Sequence, residues 1–208
     1  MKYVPSALFA LTLAASLSAN AAPVSITNHS FESTVLADGI NGVGIVGWIN
    51  STGGAFNPRI GPTGHFTNPI PDGNNTAWLN GGGATQTLIS TLLTANTAYT
   101  LMVEVGDRRD NVFPGYQVAL LAGNTVLASE SSLQPNDGFL TSTVNYTALA
   151  GNPLLGTALT IRLTANGTQV NFDNVRLDVS PVPEPETYAL MLAGLGLVGF
   201  AARRRSQV

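Results

Sequence analysis

The chain has 208 residues, of which 44% are hydrophobic and 10% are charged, and its formal net charge is −3. It contains no cysteine, which excludes disulfides and thiolate metal sites. Residues 22–180 contain ten acidic residues, five arginines and no lysine. A surface with this balance does not neutralise phosphates, so we expect binding neither to nucleic acid nor to anionic lipid.

The first residues have the pattern of a secretory signal peptide. Lys2 precedes the apolar residues 7–17, and the small residues of Ala-Asn-Ala, residues 19–21, follow them. A signal peptidase requires a charged start, a short apolar middle and small residues at the cleavage site. We therefore expect cleavage after Ala21 and a mature domain of residues 22–180, which is long enough to form one hydrophobic core.

Short apolar runs alternate with Gly, Asn, Thr and Ser in the mature domain, a pattern typical of antiparallel strands joined by tight turns. In residues 99–105 and 159–163, apolar and polar side chains alternate, so each strand has one apolar face. Further strands are expected at residues 23–32, 46–50, 76–80, 85–89, 115–121, 125–131, 139–146 and 170–179. Gly123-Asn124 and Asn166-Gly167 are predicted hairpin turns. This pattern predicts an all-β fold, an antiparallel β-sandwich.

Two segments at the ends of the mature domain carry a resemblance to a known fold. Residues 28–32, Asn-His-Ser-Phe-Glu, open the domain, Trp48 follows, and residues 171–177, Asn-Phe-Asp-Asn-Val-Arg-Leu, close it. Together they resemble the galactose-binding-like jelly roll shared by many carbohydrate-binding modules, in which the first and last strands are neighbours. The resemblance implies a structural calcium site where Glu32 and Asp173 meet, since calcium takes carboxylate and carbonyl oxygens. The alternative is that both carboxylates only cap strands.

Groups that could catalyse a reaction are few. The only histidines are His29 and His65, and neither a Gly-x-Ser-x-Gly nucleophile motif nor a His-Glu-x-x-His zinc motif occurs. A glycosidase would need two carboxylates at a set separation, for which Glu104 and Glu130 are the pair to test. The Gly-x-Gly-x-x-Gly pattern of residues 42–47 precedes no helix and is interpreted as a loop. We therefore expect that the protein is not an enzyme.

A ligand-binding surface is predicted around the strand of residues 76–80. If Ala77 and Leu79 point inward, Trp78 and Asn80 point outward, where an aromatic ring can stack on a sugar and an amide can bind its hydroxyls. The other candidate binding residues lie in or beside loops: His65, Phe66, Arg108 and Tyr116. Two further aromatic residues near loops, Phe56 and Phe113, are expected at the rim of the same surface.

Some of these assignments have alternatives. Trp78 faces the core if Leu79 does not. Arg108 lies in the charged stretch of residues 107–111, which is also explained as a solvated loop whose charges neutralise one another, although a guanidinium beside a carboxylate can bind sugar hydroxyls. Trp48, at the entry to a strand, is assigned to the core.

The C-terminal tail has three successive parts. Pro183-Glu184-Pro185 precedes an apolar run of 15 residues, 188–202, and Arg203-Arg204-Arg205 follows that run. At about 1.5 Å per residue, a helix over the run reaches roughly 22 Å, against a bilayer core of about 30 Å. The sequence thus predicts a marginal transmembrane helix at residues 188–202, with the arginines on the cytoplasmic side.

These three parts resemble the PEP-CTERM sorting signal of Gram-negative bacteria. The resemblance implies that residues 181–208 are a sorting tail and that an exosortase processes the chain near Pro183-Glu184-Pro185 while the inner membrane holds it. The expected destination is the outer surface or the extracellular matrix. Our preferred hypothesis is a non-enzymatic protein that binds or organises extracellular polysaccharide. The alternatives are a structural or glycosylated matrix protein without a ligand, and a polysaccharide hydrolase.

Overall fold

The computed structural model describes residues 21–182 and 185–205. The predicted signal peptide up to residue 20, and Pro183 and Glu184 of the sorting motif, lie outside the described residues. The strands of the described part are β1 (Ala22–Pro23), β2 (Ile49–Asn50), β3 (Gly53–Phe56), β4 (Thr76–Leu92), β5 (Thr97–Gly106), β6 (Tyr116–Ala122), β7 (Thr125–Glu130), β8 (Phe139–Ala148) and β9 (Ala158–Pro181), and its helix is α1 (Pro185–Arg205). The predicted all-β class is confirmed.

The two long strands β4 and β9 are the framework of the sandwich. They pair antiparallel from Ala77 opposite Phe172 to Leu92 opposite Ala158. The first half of β9 also pairs with β6, which is followed by β7, and the second half pairs with β5, which is followed by β8. The strands β4 and β9 therefore run the length of one continuous nine-stranded sheet in the described part of the chain, and the remaining strands flank this pair on either side.

The core lies between the half of this sheet that contains β6 and the half that contains β5 and β8, and it follows the predicted alternation. Tyr99, Leu101, Val103 and Val105 of β5 are at most 1% exposed, and they share one apolar cluster with side chains of β6, β8 and β9. Burying a side chain of this size contributes about 1.5–3 kcal/mol. The alternation read from the sequence thus identifies the residues that stabilise the sandwich.

Two predicted breaks between strands are absent, because longer strands replace them. The hairpin turn predicted at Asn166-Gly167 is wrong, since β9 continues through it and residues on either side still pair with β4. The strands predicted at residues 76–80 and 85–89 are likewise one strand. Register shifts near Asn80, where Gly81 and Gly82 adopt positive φ angles of 65° and 79°, let the long ribbon bend without breaking.

The segment between β1 and β4, residues 24–75, is less regular than the prediction, and we name it the cap. The strand predicted at residues 23–32 is reduced to β1 because the chain turns at Asn28 and Phe31, whose φ angles are 52° and 61°. Part of the cap closes an edge of the core, where Phe31 and Trp48 pack with ring centroids 5.8 Å apart. Trp48 is therefore a core residue, as predicted.

The rest of the cap lies on the outer face of the β4 and β9 pair. Trp78 Nε1 donates a hydrogen bond to Gly42 O at 3.3 Å, and Asp72 N donates to Asp173 Oδ2 at 2.8 Å. Asn171 and Asp173 point away from the core side chains Val170 and Phe172, yet they are 0% exposed. The cap thus buries polar groups on a sheet face that would otherwise be solvated.

The helix predicted at residues 188–202 lies within α1, and its residues Arg203 and Arg204 are exposed. Among residues 21–182 and 185–205, no helix reaches the length and apolar character needed to cross a bilayer. The transmembrane span predicted at this position is therefore not found.

Candidate functional site

A cavity of about 250 Å³ opens where the cap meets the outer face of the sheet. Its lining comes from the cap, from β4, from the segment after β5 and from β9: Gly39, Asn41, Phe56, His65, Trp78, Asn80, Arg108 and Gln169. The structure thus brings together four of the six predicted ligand-binding residues, Trp78, Asn80, His65 and Arg108. Residues far apart in the chain meet here because the cap folds back over β4 and β9.

Trp78 reaches the cavity because of strand alternation. Its neighbours Ala77 and Leu79 are both 0% exposed and point into the core, whereas Trp78 is half-buried and Asn80 is exposed. The indole N–H is engaged by Gly42 O, so the tryptophan offers a ligand its apolar ring surface.

Phe56, at the end of β3, lines the cavity but is only 4% exposed. The His65 ring packs against it in a T-shaped arrangement, with centroids 5.0 Å apart and an interplanar angle of 68°. The Arg108 guanidinium carbon lies 5.2 Å from the centroid of the same ring, within cation–π range. Phe56 therefore fixes the positions of the two basic side chains that line the cavity.

Arg108 is held by two partners. Its Nε donates to Asp110 Oδ1 at 2.9 Å, a second guanidinium nitrogen pairs with Asp110 Oδ2, and a third donates to Gln169 Oε1 at 2.7 Å. Burial opposes ionisation of Asp110, but the hydrogen bonds and charge of Arg108 outweigh it and lower the pKa of the carboxyl group. Asp110 therefore neutralises the charge of Arg108 within the loop, as one interpretation predicted. Arg108 also lines the cavity, as the other predicted.

His65 is set in one tautomer by the cap backbone. Arg59 N donates to His65 Nδ1 at 3.0 Å, so the neutral ring carries its proton on Nε2. Burial, followed by the positive charge of Arg108, lowers the pKa of His65 below its ordinary value. At neutral pH the cavity therefore contains an uncharged imidazole.

Phe66 and Tyr116, two other predicted binding residues, lie in the interior and do not line the cavity. Both are 0% exposed. Phe66 packs on Phe139 with centroids 4.7 Å apart, and the Tyr116 hydroxyl donates to Glu130 beside Ser142. Position near a loop was a poor guide for these aromatic rings, because both fill the interior, Phe66 from within the cap and Tyr116 from the start of β6.

Gln169 is a cavity residue that the sequence analysis missed. It precedes Val170 in β9, and the pairing of Thr168 with Asn80 places it beside β4. Nothing local marks it as functional, because only the long-range pairing of β4 with β9 brings it to the cavity.

Glu32 and Asp173, the predicted calcium ligands, meet at another part of the cap. Glu32 Oε1 accepts hydrogen bonds from the backbone of Asn74 and Asn75, and Asp173 accepts from Asp72 N and Asn174 N. Burial, with the charges of Asp72 and Glu32, raises the pKa of Asp173 to about 8. Within the described residues, no set of three or more His, Asp or Glu side chains is arranged to hold a metal ion.

Glu104 and Glu130, the carboxylates considered for a hydrolase, are engaged elsewhere. Glu104 Oε1 lies 3.5 Å from Arg176 and accepts from Thr141, whereas Glu130 is bound by Tyr116, Ser132 and Ser142. Neither lines the cavity. The pair therefore gives no support to glycosidase chemistry.

Two family models match the chain. The model described as HpiC1 cyclase matches residues 22–178, which include every residue that lines the cavity. The model described as the PEP-CTERM protein-sorting motif matches residues 181–205. The sorting signal is thereby confirmed, and it implies export with processing at the membrane by an exosortase.

Solved structures of cyclases are similar over the whole sandwich. The Stig cyclase Fisc from Fischerella sp. TAU, in complex with (3Z)-3-(1-methyl-2-pyrrolidinylidene)-3H-indole, is 32% identical over 79% of this chain and 100% of its own, with a TM-score of 0.71. A cyclase from Fischerella sp. TAU in complex with 4-(1H-indol-3-yl)butan-2-one is 31% identical over 78% of this chain and 100% of its own, with a TM-score of 0.70. No curated protein matches.

Similarity to carbohydrate-binding modules extends to the fold alone. The tandem CBM22 domain of Xyn10C from Paenibacillus barcinonensis is 14% identical over 82% of this chain and 49% of its own, with a TM-score of 0.51. This confirms the predicted jelly roll. The expectation that the chain is not an enzyme but binds or organises polysaccharide is wrong, because the matches that cover the sandwich at substantial identity are to cyclases.

Proposed function

We propose, from the premise that the chain belongs to the HpiC1-like cyclase family, that it is an exported enzyme that closes a ring in a small organic molecule. The substrate binds in the cavity between the cap and β4. The observation that carries the proposal is the match of the whole sandwich, cavity included, to cyclases. A binding site of about 250 Å³ lies near the lower limit of typical ligand pockets, roughly 300 Å³, and suits a compact substrate.

One side of the cavity suits a flat aromatic group. The half-buried Trp78 presents its ring surface there, and stacking on such a ring is typically worth about 0.5–1.5 kcal/mol beyond area burial. Both compounds bound by the Fischerella cyclases contain an indole or an indole-derived ring system. We therefore assign an aromatic substrate, with indoles as the first compounds to test.

Ring closure by rearrangement conserves the atoms of the substrate, so the protein must orient it, exclude water and stabilise the charge that develops. His65 is placed to donate a hydrogen bond to the substrate through its Nε2–H, because its Nδ1 is occupied by Arg59 N. The ring face of Trp78 stabilises positive charge that develops on the substrate. Removing one positioned donor typically costs about 10²–10³-fold in rate.

The test is conversion without a change of mass. The purified exported chain is incubated with a small-molecule extract of the producing cells and the mixture is followed by liquid chromatography and mass spectrometry. We expect one compound to be depleted while an isomer of equal mass appears, and we expect His65→Ala to slow this at least about tenfold. His29→Ala is the matched control, since His29 lies outside this cavity. If no compound is converted, or if both variants behave alike, the proposal fails.

We also propose that Glu32 and Asp173 hold a structural calcium ion. A fully buried carboxylate beside two other carboxylates is costly unless a cation compensates it, and carboxylate and carbonyl oxygens are the ligands that calcium prefers. Calcium would supply charge compensation and tie the cap to β9. Calcium should raise the melting temperature of the wild-type chain relative to chelator and should leave Asp173→Asn unchanged. An equal shift in both chains would contradict this.

For the location of the enzyme, we propose the outer cell surface. The support is the sorting motif at residues 181–205, which follows directly on the catalytic domain. Surface labelling of intact cells, with and without deletion of residues 181–208, tests this: the deletion should release the protein into the medium, and retention at the surface would contradict it.

A further inference from the structure

Three side chains of the cavity, Gln169, His65 and Arg108, keep hydrogen-bond donors for a ligand, and Asn41 and Asn80 add amides that can donate or accept. Gln169 Oε1 accepts from Arg108 at 2.7 Å, which leaves the N–H groups of its amide for a ligand. His65 Nδ1 accepts from Arg59 N at 3.0 Å, so the neutral ring offers only its Nε2–H. Arg108 donates three bonds to Asp110 and Gln169 and has five N–H groups, so two remain.

The charges around these donors balance. Arg108 is paired with Asp110, and the other charged groups that act on His65 are Arg59 and Asp38, one of each sign. An anionic ligand would gain no net attraction from such a set, and it would approach the ionised Asp110. An uncharged ligand oxygen would gain hydrogen bonds without either cost.

We infer that the substrate carries an uncharged hydrogen-bond acceptor, of the carbonyl type, next to its aromatic group. Trp78 receives the ring, and the donors of Gln169, His65 and Arg108 receive the acceptor atom. This inference rests on the proposed function, because it assigns substrate chemistry to the same cavity. It makes Gln169 a specificity-determining residue.

Three indoles of nearly equal shape test the inference by isothermal titration of the exported chain. They are 4-(1H-indol-3-yl)butan-2-one, which has the carbonyl, 3-butylindole, which lacks it, and 3-(1H-indol-3-yl)propanoate, which has a charged carboxylate instead. We expect the ketone to bind about fivefold more tightly than 3-butylindole, the value of one net hydrogen bond of about 1 kcal/mol. We expect the carboxylate to bind no more tightly than the ketone.

The outcomes separate the inference from the proposed function. Equal affinity for the ketone and 3-butylindole, or tighter binding of the carboxylate, overturns the inference while the aromatic site stands. If none of the three indoles binds, the aromatic substrate of the proposed function is wrong and the inference fails with it. Tighter binding of the ketone alone supports both.

A single substitution assigns the preference to Gln169. Gln169→Glu removes the donating amide and leaves a group that only accepts, so the advantage of the ketone over 3-butylindole should fall to within about twofold. The readout is the ratio of the two affinities within each chain, because a change in the contacts of the shared indole group cancels in that ratio. Gln117→Glu, on β6 beside Arg162 and outside the cavity, is the matched control. A preserved ketone advantage in Gln169→Glu would overturn the assignment.

Discussion

The backbone N–H and C=O groups of the cap and of the sandwich find their hydrogen-bond partners in different ways. In the sandwich, residues 76–181, long ladders pair one strand with the next. In the cap, residues 24–75, asparagine side chains replace many of these bonds, as where Asn75 Nδ2 donates to Phe31 O and Thr34 O and where Asn57 Nδ2 donates to Leu36 O. The comparison shows that the strands of the sandwich form a regular framework. The cavity forms where the irregular cap packs onto this framework.

The largest loss of stability should come from a substitution in the core of the sandwich. Leu163→Ala removes a fully buried side chain of β9 and should lower the free energy of unfolding by about 2–5 kcal/mol, as measured by urea denaturation. Leu149→Ala, at a residue that is 68% exposed, is the control and should change stability by less than about 0.5 kcal/mol. Equal effects would mean that the core is not where the structure places it.

A smaller loss of stability should follow from removing one side chain that donates hydrogen bonds within the cap. Asn75 is 2% exposed, and Asn75→Ala leaves the carbonyls of Phe31 and Thr34 without their donor, at a cost of about 1–3 kcal/mol. Hydrogen exchange should become faster in the cap while the strands stay protected. Asn136→Ala, at an exposed asparagine, is the control. Uniformly faster exchange in the strands would show that cap and sandwich unfold as one unit.

A substitution in the cavity between the cap and β4 should change the affinity for a ligand. Trp78→Ala should weaken binding of 4-(1H-indol-3-yl)butan-2-one at least about tenfold, a loss of about 1.4 kcal/mol, as measured at a temperature where both chains are folded. The control is Trp48→Phe, which alters the buried tryptophan of the cap and should preserve affinity. If both variants lose affinity equally, Trp78 is not the stacking residue.

The smallest expected effects on stability come from the titration of two carboxyl groups, whose pKa values are shifted in opposite directions. Burial opposes ionisation of Glu130, but hydrogen bonds from Ser132, Tyr116 and Ser142 lower its pKa to about 2. Stability from Glu130 is therefore present above pH 4.5 and is lost as the pH falls towards 2. The pKa of Asp173 is raised to about 8, so without calcium its contribution is greatest below pH 3.8 and is lost as the pH rises through 8.

Melting temperatures measured in chelator as a function of pH separate the contributions of Glu130 and Asp173. Glu130→Gln should abolish the loss of stability at acid pH and keep the loss at rising pH. Asp173→Asn should keep the loss at acid pH and abolish the loss at rising pH. A loss that survives in the corresponding variant would assign the titration to another group.

The same comparison explains how far the sequence was informative. Alternation predicted the apolar face of β5 and the outward direction of Trp78, because a strand of period two needs only local information. It could not predict that β9 passes through Asn166-Gly167, or that Gln169 reaches a cavity, because both depend on pairing with β4. The enzymatic class was missed because the cavity contains no nucleophile or metal motif, only common residues that the cap brings together.

The central claim is that a cyclase of this family binds its substrate between the cap and β4. A crystal structure of the chain with 4-(1H-indol-3-yl)butan-2-one tests it most directly. The account predicts the indole ring stacked on Trp78, with the ketone oxygen within hydrogen-bond distance of Gln169 or His65. Binding of the indole at any other surface, with this cavity left empty, would contradict it.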